Sequence, residues 1–147
     1  MAAGNDTRPA IIACPACGTL NRVDLARSAD RPRCAACRAA IRPDRPIPVT
    51  DASFERVIGG TEVPVLVDFH ADWCGPCRMM EPILDNFALA QAGRTLLLKL
   101  DTDANPRTSA RFGIRGIPTM IAFRSGRETG RHTGVADLPV LSRLVGS

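Results

Sequence analysis

Six cysteines fall into three Cys-x-x-Cys pairs along 147 residues, and the surroundings of each pair assign it a chemistry. Cys14/Cys17 and Cys34/Cys37 stand sixteen residues apart, a spacing at which two tight turns can bring four thiolates around one metal ion. The third pair lies in Trp73-Cys74-Gly75-Pro76-Cys77. It follows directly on the apolar run Val63-Pro64-Val65-Leu66-Val67-Asp68-Phe69, the setting of a redox dithiol after a buried strand. Such a chain is expected to exchange thiols for disulfides and to carry a small metal module beside that chemistry.

Composition narrows the class. A hydrophobic share of 45% with 23% charged residues is that of a globular protein, long enough for one core plus a satellite module. One Trp, five Phe and no Tyr leave little for stacking nucleic-acid bases. The net charge of +4 sits wholly in residues 1–46, which hold eight Arg against four Asp. Four thiolates on a dication add about −2 there, too weak a basic balance for a nucleic-acid footprint, so no nucleic-acid partner is expected. No run approaches the ~18 apolar residues of a membrane span. Met1–Arg8 has no apolar core of a secretory signal, so a reducing, cytoplasmic setting is expected. There, cysteines serve as metal ligands and catalytic thiols more readily than as structural disulfides.

Three prolines in the seven residues Arg42–Pro48 predict a stiff, extended linker over 43–48 between a module at 1–42 and a domain at 47–147. Cys14-Pro15-Ala16-Cys17-Gly18 and Cys34-Ala35-Ala36-Cys37-Arg38 read as ligand turns; Gly18 permits φ > 0, and Arg38 stands at the matching place. The first module has too few apolar side chains for a core of its own, so it should need metal to fold, and the two modules should not share a core. After the linker, Asp51 or Ser53 can cap a helix burying Phe54, Val57 and Ile58. Strands are expected at 63–70 and 95–100. A helix should start near Cys74 and carry Met80, Ile83, Leu84 and Phe87 on one face, with a kink at Pro82. A short helix over 106–112, a hairpin turning at Ser125-Gly126, and a last helix burying Leu138, Leu141, Leu144 and Val145 complete the order βαβαβαββα.

Those motifs resemble the thioredoxin family over the whole of 47–147. Val65-Leu66-Val67-Asp68-Phe69, Trp73-Cys74-Gly75-Pro76-Cys77-Arg78, Phe112-Gly113-Ile114-Arg115-Gly116-Ile117-Pro118-Thr119 and Phe123-Arg124-Ser125-Gly126 stand in the family's order and spacing. With the two upstream turns, the chain is similar to the family's zinc-bearing bacterial members. The resemblance implies an α/β thioredoxin fold, a central mixed sheet flanked by helices, preceded by a four-Cys zinc ribbon. Two departures are visible: His70 stands where the family commonly has an aromatic, and Arg38 is not small.

Cys74, at the start of the predicted helix, is placed where unpaired amides and the helix dipole favour a thiolate, and is expected to be exposed and to attack first. Cys77, one turn on, then resolves the mixed disulfide. Pro76 stiffens the turn, and the resemblance implies that it favours the reducing form of the pair. The resemblance implies that Asp68, an acid in an apolar run, lies beneath the cysteines and accepts the proton of Cys77, with Lys99 as its partner. It implies further that Pro118 is a cis-proline facing the sulfurs, and that Trp73, Gly75, Pro76, Ile117, Thr133 and Gly134 rim the substrate surface. His70 points to the side of Asp68, since a strand has period two; it either adds pH sensitivity between about pH 6 and 7 or merely packs. Cys14, Cys17, Cys34 and Cys37 match zinc spacing, and four thiolates close the shell, so one structural Zn²⁺ and no organic cofactor are expected. An iron site of equal spacing is the rival. Arg31, Arg33 and Arg38 are expected to offset the site's charge, and strong oxidant to release the metal.

The implied activity is general protein-disulfide reduction by a monomer, recharged by an NADPH-dependent flavoprotein, thioredoxin reductase, and spent on disulfide-bearing client proteins. The alternatives are a ribbon-docked binding module and a redox-switched chaperone.

Overall fold

The computed structural model describes residues 7–146, leaving most of the stretch read for a leader outside the described residues. Strands β1 (Pro9–Ala13) and β2 (Leu20–Asp24) form an antiparallel pair, followed by a 3₁₀ turn over Leu25–Asp30. Then come β3 (Ile47–Pro48), α1 (Phe54–Gly60), β4 (Val65–His70), α2 (Gly75–Ala90), β5 (Leu96–Asp101), α3 (Pro106–Arg111), β6 (Thr119–Arg124), β7 (Arg127–Thr133) and α4 (Leu138–Val145). The second sheet runs β3-β5-β4-β6-β7; β3, β5 and β4 are parallel, and β6 and β7 antiparallel.

Why β4 is central follows from its side chains: five of its six residues are buried, as a strand covered on both faces requires. Leu66 faces the α2 and α4 side, packing with Met80, Leu84, Phe87, Leu97, Met120 and Leu141. Val65, Val67 and Phe69 face the other way, toward Phe54, Val57 and Ile58 of α1 and the Phe112 ring. Phe54, Phe69, Phe112 and Phe123 close that side with ring centroids 5.3–6.2 Å apart. Helix α2 continues through Pro82 to Ala90.

Four expectations are corrected. The modules do not have separate cores: Ala10, Ile12, Val23, Leu25 and Ile41 join one buried cluster with Val57, Ile58, Val63 and Val65. The small pair of strands borrows the apolar side of α1 because it cannot bury its own side chains alone. Ile11 N donates to Thr61 Oγ1 (3.0 Å), and Glu62 N to Pro9 O (3.1 Å). A Cβ on Gly60 would stand 2.5 Å from Ile11 Cγ1, so a side chain there would force Ile11 of the docked strand to shift.

The proline-rich stretch is not uniformly extended either. It turns, with Arg45 N donating to Arg42 O (3.1 Å), and then joins the sheet, Ile47 and Pro48 pairing with Leu98 and Lys99. Pro48 sits on an edge strand, where its missing donor costs nothing.

Asp51 caps a helix other than the expected one. Its Oδ1 accepts from Thr108 N (2.8 Å) and Thr108 Oγ1 (2.6 Å), and Oδ2 from Arg107 N (3.1 Å), so it serves the first turn of α3. Ser53 precedes α1, yet its hydroxyl accepts from Thr50 N (3.1 Å). Finally, Leu138 is 42% exposed, because the buried contact of α4 begins only at Val140 and Leu141.

Candidate active site and candidate metal centre

Helix α2 starts one residue after Cys74, which takes the N-cap position in extended conformation. Its Sγ accepts from Cys77 N at 3.2 Å, so sulfur does here what a Ser or Asp oxygen does at other helix starts. Negative charge on that sulfur gains from the unpaired amides and the dipole behind them. Cys74 and Cys77 form a disulfide, with Cα atoms 5.2 Å apart. In this oxidised pair Cys74 is only 3% exposed, which corrects the expectation of an exposed thiol: Ala71 and Ile117 pack over the sulfurs.

Across from the pair, Ile117–Pro118 is a cis peptide, and Ile117 O lies 3.8 Å from Cys74 Sγ. The end of β7 is held beside it. Gly134 N, at φ 101°, donates to Pro118 O (2.8 Å), and the hydroxyls of Thr119 and Thr133 meet at 3.2 Å. Ile117 thus packs against the dithiol, with Thr133 and Gly134 held beside Pro118 and Thr119. Trp73 is 68% exposed on its other side, its indole Nε1 donating to Asp103 Oδ2 (2.8 Å). Gly75 and Pro76 lie exposed at the tip of α2.

Asp68 is 5% exposed on β4, opposite Lys99 in register, and its Oδ1 has no hydrogen-bond partner. Burial pushes its carboxyl up to about 7; Lys99 pulls the other way, and Glu81 adds to the rise. Asp68 and Cys77 line one cleft of about 960 Å³, together with Lys99, Glu81 and His70. Burial lowers the His70 pKa below its ordinary 6.5, although Asp101 opposes this.

Glu81 and four residues of the joining segment were not found by sequence reasoning. Glu81 lies one helical turn beyond Cys77, a spacing that was there to be used. Arg42, Asp44, Arg45 and Pro46 wall the same cleft from the joining segment, and nothing local signals that placement.

The other four cysteines converge. All their Sγ atoms lie within 4.8 Å of one another, with Cys14–Cys37 and Cys17–Cys34 each at 3.6 Å. Tetrahedral zinc with Zn–S ≈ 2.3 Å needs sulfurs about 3.8 Å apart, so the set fits. Both turns repeat one geometry. Gly18 and Arg38 take φ of 80° and 69°, their amides donating to Cys14 O (2.8 Å) and Cys34 O (2.9 Å). The amides of Ala16 and Ala36 point at the sulfurs of Cys14 and Cys34 (3.4 Å each). Arg33 donates to Arg38 O (3.1 Å), so its guanidinium braces the second turn. As thiolates these four sulfurs would repel one another unless a cation lay between them. The Cys37 amide and the Asn21 side chain hold Cys34 down to about 6, while Cys37, although the Ala39 backbone favours its anion, is raised to about 11 by Cys14 and Cys17.

A redox-active Cys-x-x-Cys at the start of a helix, on a mixed sheet and facing a cis-proline, defines a thiol–disulfide oxidoreductase. The chain belongs to the thioredoxin family. That family's model, described as "Thioredoxin", matches residues 45–146, and one described as "Thioredoxin 2, N-terminal", a zinc ribbon, matches residues 13–39. Thioredoxin C-3 of Corynebacterium nephridii is 40% identical over 124 residues, covering 84% of this chain and 85% of that one. The thioredoxin of Alicyclobacillus acidocaldarius is 54% identical over 86 residues, 58% of this chain and 81% of that one. A mutant thioredoxin from Halobacterium salinarum superposes with a TM-score of 0.59 at 33% identity, covering 70% of this chain and 89% of that structure. The protein is accordingly a protein-disulfide reductase that works through the Cys74/Cys77 pair. Among the described residues, no helix is long and apolar enough to cross a membrane.

Proposed function

We propose that Cys74 is the attacking thiol and Cys77 the resolving thiol of a general protein-disulfide reductase with a structural zinc site. The observation that carries this order is the N-cap position of Cys74, where its sulfur accepts the Cys77 amide hydrogen. The Cys74 thiolate attacks a client disulfide; the client S–S bond breaks, one client thiolate leaves and takes a proton, and a Cys74–client disulfide forms. Cys77 gives its proton to Asp68, across the cleft both residues line, and attacks Cys74 Sγ. The second client thiolate leaves, and the Cys74–Cys77 disulfide remains. Two electrons from NADPH, delivered by thioredoxin reductase, restore the dithiol.

Asp68 suits its role because a carboxyl at about 7 can accept and release a proton near neutral pH, and Lys99 moderates the cost of its charge. Pro118 fixes the Ile117 carbonyl as a docking edge for an extended client segment, with Trp73, Gly75, Pro76, Thr133 and Gly134 completing the contact surface. Cys14, Cys17, Cys34 and Cys37 would hold one Zn²⁺, which supplies a cross-link between the two turns and no open coordination position. The chain is read as a cytoplasmic monomer, 1–42 forming the ribbon, 43–48 the join and 47–147 the redox domain.

Insulin-disulfide reduction coupled to NADPH oxidation tests the assignment. Cys74→Ser should abolish turnover, and Cys77→Ser should accumulate a mixed disulfide with client protein. Equal trapping by both variants would overturn the order of attack.

A further inference from the structure

Among the described residues, two buried side-chain oxygens lack a hydrogen-bond partner, and both belong to acids lining the cleft behind Cys77: Asp68 Oδ1 and Asp44 Oδ1. Asp68 sits on the central strand, so the cleft is the outlet through which its proton reaches water. Asp44 stands at the wall of that outlet and is two-sided. One oxygen is buried and unpartnered, while the other meets the half-exposed Arg42 guanidinium at 3.3 Å. A buried acceptor without a partner is costly unless water or a mobile proton uses it, and two in one polar cleft point to a shared use.

We propose that Asp44, carried on the segment joining the two modules, is a positioning residue for the second half of the reaction, relaying to solvent the proton that Asp68 takes from Cys77. This rests on Asp68 being that acceptor. In the step, the Cys77 S–H proton passes to the Asp68 carboxylate, the Cys77–Cys74 bond forms and the Cys74–client bond breaks. The client thiolate takes its proton from solvent. Asp68 passes the Cys77 proton on through water in the cleft to the Asp44 carboxylate before the freed Cys77 thiolate attacks, and Asp44 releases it at the rim beside Arg42, so the second release waits on the relay. No proton or electron is left unassigned.

Other charged groups face this route. Lys99 of β5 lies opposite Asp68, and His70 of β4 has its pKa lowered by burial. Helix α2 contributes Arg78, Glu81 and Asp85, and the loop before it Asp72. Arg78 is occupied, donating to Asp72 O at 2.6 Å. Arg45 joins Arg42 on the outer wall. Among the described residues Asp44 is the one acid on that wall, and the sequence around it, Pro43-Asp44-Arg45-Pro46, holds it there with two fixed φ angles.

The test follows both halves of one turnover in the full-length protein, with reduced protein mixed against a symmetric dithiobis(nitrobenzoate). The first coloured thiolate reports attack by Cys74 and the second reports resolution by Cys77. Asp44→Asn should leave the first release unchanged and slow the second by about tenfold in dilute buffer. Added imidazole, a small proton carrier, should restore that rate, and so should Asp44→Glu; neither rescue is expected of a merely structural loss. In an Asp68→Asn background, Asp44→Asn should have no further effect. A second release unchanged by Asp44→Asn, a loss that imidazole does not relieve, or an undiminished effect in the Asp68→Asn background would each overturn the relay. If Asp68→Asn itself leaves the second release untouched, the acceptor assignment fails as well, so the two failures are distinguishable.

Discussion

Replacing Asp68 with Asn keeps the side chain's shape and removes its charge, and its effect on stability can be worked from the structure. The carboxyl is 5% exposed, and burial raises it from 3.8 to about 7. The folded state therefore holds this proton more tightly than the unfolded chain. Stability from that difference is fully present below the unfolded pKa and is lost as pH rises through the folded one. At about 1.4 kcal/mol per pH unit the gap amounts to about 4 kcal/mol, lost by the wild type between about pH 4 and pH 7 and absent from the Asn variant. In a chain of this length that corresponds to roughly 10 °C in Tm. Urea unfolding of both oxidised proteins across this range should show the stability difference in favour of Asp68→Asn growing with pH, at unchanged m-value. A difference that stays constant within about 1 kcal/mol across the range would refute the argument, because it would mean that Asp68 ionises as easily folded as unfolded.

Gly60→Ala should destabilise by about 1–3 kcal/mol through overpacking against Ile11, measured by denaturant midpoint, and Ile11→Ala in the same chain should relieve part of that loss. Asp51→Ala should lower Tm at neutral pH by uncapping α3. The Thr108 hydroxyl leads the groups that lower the Asp51 pKa, so this contribution is present above the unfolded value and fades as pH falls, and the variant and wild type should converge in acid thermal scans. Metal analysis should find about one zinc per chain, with Zn–S near 2.3 Å by X-ray absorption. Since the ribbon shares its buried cluster with α1, chelation should shift a single unfolding transition downward; two separate transitions would show that the shared cluster does not couple the modules.

The strands and helices of the redox domain were legible because their signals are local. Val65–Phe69 and Leu96–Leu98 are apolar runs too short for helices, and Met80, Leu84 and Phe87 repeat at helical spacing. The dithiol and the four-sulfur cluster were legible for the same reason, each being fixed by short spacing. What escaped depends on which face meets which. Asp51 stands just ahead of Phe54, where a cap for α1 would be sought. Its partners Arg107 and Thr108 lie 56 and 57 residues further on, in a helix that the sheet brings beside it. Nothing in Ile11 or Gly60 announces their contact, and Asp44 reads as a surface turn residue until β3 pairs with β5 and swings the preceding turn over the cleft.

The docking of β1 on α1 also limits how portable the ribbon is. Transplanted to another redox domain, it would need a residue without a side chain where Gly60 stands and a hydroxyl where Thr61 receives the Ile11 amide. Conversely, a redox domain cut free of its ribbon would lose Ala10, Ile12, Val23, Leu25 and Ile41 from the shared buried cluster and expose the apolar surface they cover, a site for self-association. The four-sulfur module thus behaves as a fitted lid on one flank, and engineering either half means recutting the seam between them.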